Sequence, residues 1–221
     1  EIASIDGQVH FYIRTPTRVR GLIETQMYAQ YPQAQIRAVE DYTLAVDKIS
    51  ADSSWMGWGC EWGLLKPEAF PIKTYVDFGL DKDPKEEYKV DPISPIVELF
   101  GSLAKGEQMW LQIVITPSKK SYSDGTWFGR HDWIVEARKT LFSFLRDYTA
   151  VKGVEGGKLG KDSRIETRVP PFLDRAVKAM NAKTAKLGFD TGIRTMYVAK
   201  KEAWSMNSRR NIRLIWRQYE S

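Results

Sequence analysis

Residues 7–42, GQVHFYIRTPTRVRGLIETQMYAQYPQAQIRAVEDY, carry the reading on which the fold expectation turns. In 7–16, Val9, Phe11 and Ile13 alternate with His10, Tyr12 and Arg14, the period-two pattern of a strand with unlike faces. Thr15 or Thr17 can cap a following helix. Pro16 fits its start, because the amide that proline lacks would have no helical partner there. Val19, Leu22, Ile23, Met27 and Tyr31 form the apolar stripe of that helix, and Pro32 ends it. AQIRAVEDY at 34–42 reads as a second strand. The whole stretch then predicts a strand–helix–strand crossover, which pairs strands in parallel and is nearly always right-handed.

Beyond this unit, 43–54 is polar and loop-like. SWMGWGCEWGLL (54–65) reads as a glycine-broken aromatic strand, and FPIKTYVDFGL (70–80) as its hairpin partner. DKDPKEEYKVD (81–91) is an acidic connector; it lacks the glycine and alternating ligands of a calcium loop. DPISPIVELFGSLAKGE (91–107) predicts a helix capped by Asp91, with Pro92 at its first position and Gly106 at its end. Ile93, Ile96, Val97, Phe100 and Leu103 point inward from it. QMWLQIVITP (108–117) alternates as a strand. The class expected is α/β (α+β): a ferredoxin-like mixed sheet with helices on one face, then a helix-rich α-α-β-α second half. That half holds a long helix (129–150) and a second helix (168–189) burying Phe172, Leu173, Ala176, Val177, Met180 and Leu187. A strand (191–201) and a last helix (205–221), capped by Ser205, complete it. The expected organisation is 1–118 as the ferredoxin-like half, 119–150 as the long helix, 151–167 as a flexible Gly/Lys linker, and 168–221 as an α-β-α unit packing on the first half.

A chain of 221 residues suits one large domain or two small ones. Its single cysteine, Cys60, excludes an internal disulfide and suits a reducing compartment. No run of about 18 apolar residues would span a membrane, and no signal-peptide pattern appears. The chain opens at Glu1 rather than Met, so a piece of a longer protein or a processed form is expected. Charge is polarised. Residues 1–116 hold 11 Lys and Arg against 17 Asp and Glu, a balance of −6, and residues 117–221 hold 22 against 11, a balance of +11. Such halves can dock on oppositely charged partners or neutralise one another within the fold.

VKGVEGGKLGKDSR (151–164) invites reading as a phosphate-binding loop, G-x-x-x-x-G-K-[ST]. Gly160-Lys161 supply the final pair. Glu155 stands at the first glycine position, however, and Asp162 replaces the hydroxyl residue that would hold magnesium. A carboxylate at the mouth repels a triphosphate, and the segment follows a helix rather than a strand. No nucleotide-hydrolysis motif, catalytic constellation, metal set or cofactor is expected. His10, His131 and Cys60 are far apart in sequence. His131-Asp132 reads as a helix start, and Cys60 as a small buried hydrophobe. Trp55, Trp58 and Trp62 could line an aromatic pocket, with only their rings to support it. In the last helix Arg209, Arg213 and Arg217 recur every four residues beside Arg210, while Ile212, Ile215, Trp216 and Tyr219 face inward. Together with Lys158 and Lys161 these arginines are the candidate phosphate or nucleic-acid contacts. The alternative is a solvated helix face, or pairing with the acidic first half.

The blocks IDGQVHFYIRTP, IETQMYAQYPQAQIRAVEDYT, FPIKTYVDFGLDKDPKEEYKVDPISPIVELFGSLAKGEQMWLQIVITP and GIRTMYVAKKEAW, taken in order, resemble an uncharacterised bacterial family common in the candidate-phyla radiation. There they form the region ahead of a type IV secretion or conjugation-type ATPase motor. The resemblance covers nearly the whole chain apart from 117–130 and 151–167. It implies a non-catalytic assembly or scaffold module of a DNA-translocation machine. Partners would be protein subunits of that complex, or other copies of the chain. The segment would lie in the cytoplasm at the inner face of the membrane, held there by segments outside it. It implies no catalytic residues within the segment.

Overall fold

Asp6 and Gly7, with φ of 53° and 80°, join β1 (Ile2–Ile5) to β2 (Gln8–Phe11) in a two-residue hairpin. Two successive left-handed residues give a turn whose twist matches that of the strands it connects. This computed structural model describes residues 1–81, 91–118, 121–123, 130–149 and 171–220. The other side of β1 pairs antiparallel with β4 (Glu107–Pro117), Ala3 opposite Trp110. β4 in turn pairs with β7 (Phe189–Lys200), and hydrogen bonds from Lys200 N to Gly106 O and from Ser118 N to Gly188 O set the two strands antiparallel. β3 (Trp55–Trp62) closes the far edge against β7, giving the order β2-β1-β4-β7-β3.

The α/β (α+β) class therefore holds, with an antiparallel five-stranded sheet. The crossover expected from 7–42 is not its origin. Residues 34–42 form no strand; β1 lies between its hairpin partner β2 and β4, and β4 between β1 and β7, so neither has an open edge. Residues 70–80 turn instead of forming a hairpin, and β3 finds its partner in β7. Helix α1 (Arg20–Gln30), preceded by a 3-10 turn, does form where the stripe places it, yet it buries none of its residues, and Leu22 is 64% exposed.

The chain divides into two compact units. The first comprises Glu1–Trp62, Asp91–Ile113 and Ile193–Gln218. Side chains alternate across its sheet. On one face Ser4, Met109, Leu111, Thr195 and Tyr197 are fully buried. Helix α2 (Ser94–Gly101) lies over this face, the Ser4 hydroxyl donating to the Phe100 carbonyl at 2.7 Å. α5 (Met206–Asn211) is tied to the same face by the Ser205 N–H, which donates to Tyr197 Oη at 2.9 Å. The opposite face gathers Ala3, Trp55, Trp110 and Val198 under Tyr12, Tyr42 and Val46. In α2, Ile96 and Phe100 are buried as expected, whereas Ile93 is exposed. The helix starts two residues later than expected. Asp91 bonds the Ile93 N–H and the Ser94 hydroxyl, and Pro95 takes the place near the start assigned to Pro92.

The second unit comprises Gly63–Val90, Val114–Gly192 and Tyr219–Ser221. Within it β5 (Ser121–Ser123) pairs with β6 (Arg130–Asp132), and α3 (Trp133–Thr149) and α4 (Pro171–Thr184) enclose Ala69, Ala137 and Met180. Asp132 caps α3 by accepting from the Ile134 N–H at 2.9 Å, so the helix begins after His131-Asp132. Lys183 donates to the carbonyls of Glu68 and Phe70. These bonds hold that segment as a clamped turn. Burial lowers the Lys183 pKa. Met180 is inward as expected, and Leu187, beyond the end of α4, is exposed. Phe172 and Leu173 lie outside the residues whose side chains are described.

Candidate functional site

The arginines of the last segment are placed by a change of helix type. Ser205 caps α5, its hydroxyl accepting from the Ser208 N–H at 3.2 Å. After Asn211 the chain tightens to a 3-10 helix, Ile212–Tyr219. In that geometry residues three apart eclipse one another. Ile212 and Ile215 are buried, and Gln218 continues their row, its side-chain amide donating to the Pro92 carbonyl at 2.8 Å. Arg213 and Trp216 share the flanking row, and Leu214 and Arg217 the outer one. The expected ridge of four-residue spacing thus joins Arg209 to Arg213 only. Arg217 lies about a third of a turn away. Tyr219 is half-buried, edge-on to Phe78.

Arg209 and Arg213 converge on Trp58, their guanidinium carbons 5.4 and 6.0 Å from its ring centre. Next to it Trp62 tilts against Trp216 at 5.5 Å and donates its indole N–H to Thr195 Oγ1 at 2.8 Å. Arg210 and Arg217 are exposed. Among the described residues, no carboxylate lies within ion-pair distance of these four arginines; the ion pairs that form lie elsewhere. Lys158 and Lys161 lie outside the described residues, as does the whole 151–170 segment with its loop-like glycines.

Strand alternation separates the three tryptophans of β3. Trp55 enters the core with Trp110 and Val198, while Trp58 and Trp62 face the last segment, so the three line no common pocket. Cys60 is half-buried. Burial raises its thiol pKa, and the Arg213 charge opposes that shift. His10 packs beside Tyr12. Among the described residues, no group of three or more His, Cys, Asp or Glu side chains gathers that could hold a metal.

Sequence reasoning missed a second polar centre. Glu107, nearly fully buried, accepts from the Ala104 N–H at 2.8 Å and from the Tyr197 hydroxyl. Its backbone carbonyl accepts from the Asp6 N–H, and Asp6 Oδ1 accepts from the Gly106 N–H at 2.7 Å. The hairpin turn, the start of β4 and the end of β7 are therefore tied at one point. The Asp-Gly dipeptide was the available signal. Nothing in GEQMW marks Glu107 as buried.

The chain belongs to the family described as a domain of unknown function, DUF8128, whose model matches residues 1–221. Neither a search of curated proteins nor one of solved structures returns a match. No helix among the described residues is long and apolar enough to cross a membrane.

Proposed function

We propose that this member of the family is a non-catalytic assembly module of a membrane-associated, type IV secretion-like translocation ATPase. The ordered sequence blocks support the motor context, and α1 is the observation that carries the assembly role. An 11-residue helix is too short to be stable alone in water. Most helices are held by packing an apolar stripe. The stripe of α1, from Val19 to Tyr31, is half-covered at best, and Leu22 and Tyr31 are largely exposed. A helix left this way is suited to being covered by another subunit.

The test is cross-linking mass spectrometry on the complex isolated from its source cells through a tag on this chain. Cross-links from α1 to a nucleotide-hydrolysing motor subunit are expected. The double change Leu22→Glu and Tyr31→Glu should lower motor recovery by about tenfold while leaving the melting temperature nearly unchanged, since both side chains are largely exposed. ATP hydrolysis by the purified chain, or a native complex without a motor subunit, would overturn the proposal.

A second reading, nucleic-acid binding through Arg209, Arg210, Arg213 and Arg217 with Lys158 and Lys161, is favoured by the absence of carboxylate partners at the four arginines among the described residues. It predicts oligonucleotide affinity that falls steeply with salt and is lost when the four arginines become glutamine. Absence of binding at low salt removes it.

A further inference from the structure

Alternate residues of an edge strand direct their backbone N–H and C=O away from the sheet. In β3 the parity is fixed at its start. The Lys201 N–H donates to the Ser54 carbonyl at 2.9 Å, and the register sets Trp55 opposite Lys200. Even-numbered residues of β3 therefore bond to β7, and Gly57, Gly59 and Glu61 present their backbone groups outward. β3 ends the sheet, and among the described residues no backbone group pairs with these three. Natural edges are commonly protected by lysine or proline. WMGWGCEW has neither; its two glycines add no side chain at the outward positions, although Ile49 packs over Gly57.

The surroundings are asymmetric. On the Trp58 side, Arg209 and Arg213 stand over the ring without a carboxylate in ion-pair distance among the described residues. On the other side lies a shallow depression lined by Gly59, Cys60, Glu61, Arg194 and Met196, whose Glu61 carboxylate disfavours acidic side chains on that face and leaves it to apolar ones. A second copy of the chain is a poor occupant. Antiparallel pairing of β3 with itself through the outward residues sets Trp58 beside its mate and brings both pairs of guanidinium groups together.

We propose that β3 is a strand-addition site for an extended acidic segment of a partner protein. The segment's backbone bonds to Gly57, Gly59 and Glu61. Its carboxylates on one face meet Arg209 and Arg213, and its apolar side chains on the other fill the depression beside Met196. This deepens the assembly reading, on which it rests, by giving the chemistry of one partner contact.

The test is fluorescence anisotropy of the whole chain with a labelled peptide of alternating valine and glutamate at low salt. Saturable binding is expected, with none for the valine–lysine peptide. Gly59→Pro removes an outward N–H that β7 does not use, and should weaken binding at least about tenfold. Methylating alternate peptide nitrogens should do the same, and that arm decides the matter if Gly59→Pro fails to fold by circular dichroism. Arg209→Gln with Arg213→Gln should weaken binding and flatten its salt dependence. The proposal is overturned by absence of binding. Equal binding of the methylated peptide or of polyaspartate overturns it too. So does oligothymidylate binding at least as tightly as the peptide while ignoring Gly59→Pro. Failure here leaves cross-links from α1 to a motor intact, whereas loss of the motor context leaves peptide binding intact.

Discussion

Glu107→Leu is expected to lower the unfolding free energy by about 1–3 kcal/mol, because it leaves the buried Tyr197 hydroxyl without its acceptor and frees the Ala104 N–H, which water can reach. Urea denaturation should show the midpoint falling at an unchanged slope. Glu107→Gln keeps one carbonyl acceptor and should cost less. A loss below about 1 kcal/mol for the leucine variant would mean that the Tyr197 hydroxyl finds another acceptor. The same cluster has an alkaline signature. Burial first, and the Glu107 hydrogen bond second, push the Tyr197 phenol up to about 12. The folded value exceeds the unfolded value of 10.0, so the protonated phenol stabilises the fold. That contribution is complete below pH 10.0 and is lost as pH rises through about 12. The decline over this window should shrink in Tyr197→Phe, measured as unfolding midpoint against pH.

Gly7→Ala should destabilise by about 2–4 kcal/mol. Its φ of 80° is unfavourable for a residue with a Cβ, and that Cβ would meet the Leu103 carbonyl oxygen at 2.6 Å, a backbone atom that cannot swing aside. At about 2–4 °C per kcal/mol for a chain of this size, thermal melting resolves the loss. Gly21→Ala is the matched control. It lies in α1 with nothing within 4 Å of the new methyl, and alanine is the better helix former by about 1 kcal/mol, so stability should hold or rise. Equal destabilisation by both changes would count against the hairpin geometry.

These two sites mark where local patterns stopped informing the reading. Strands at 108–117 and 191–201, the aromatic strand at 54–65, the Ser205 cap and the inward Ile212 and Ile215 were legible, because each rests on a local period or a single cap. Pairing was not. AQIRAVEDY alternates well enough to be extended, but a strand also needs a neighbour with open hydrogen bonds, and no residue type announces one. Asp6-Gly7 was legible in principle as a tight hairpin. The alternation of Val9, Phe11 and Ile13 extends a strand reading back to Gly7, which absorbs the second residue of the turn. Part of the candidate site was equally visible: the arginines and Trp58 stood out as residue types. Their meeting was not visible, because it depends on β3 lying beside β7 and on the helix tightening at Ile212. A four-residue repeat on paper becomes a three-residue one there.

The position of β7 between β4 and β3 has a consequence for synthesis on the ribosome. Trp62 ends β3, and Phe189, which begins its neighbour, follows 127 residues later. At about 5–20 residues per second, a nascent chain carries an unpaired, tryptophan-rich ribbon for several seconds or more before its mate emerges. β1 and β2 can close at once, and β4 can join them, yet β3 must wait. Nascent-chain association with a general chaperone should therefore peak while residues beyond Trp62 are being made, and fall once Lys200 has left the exit tunnel.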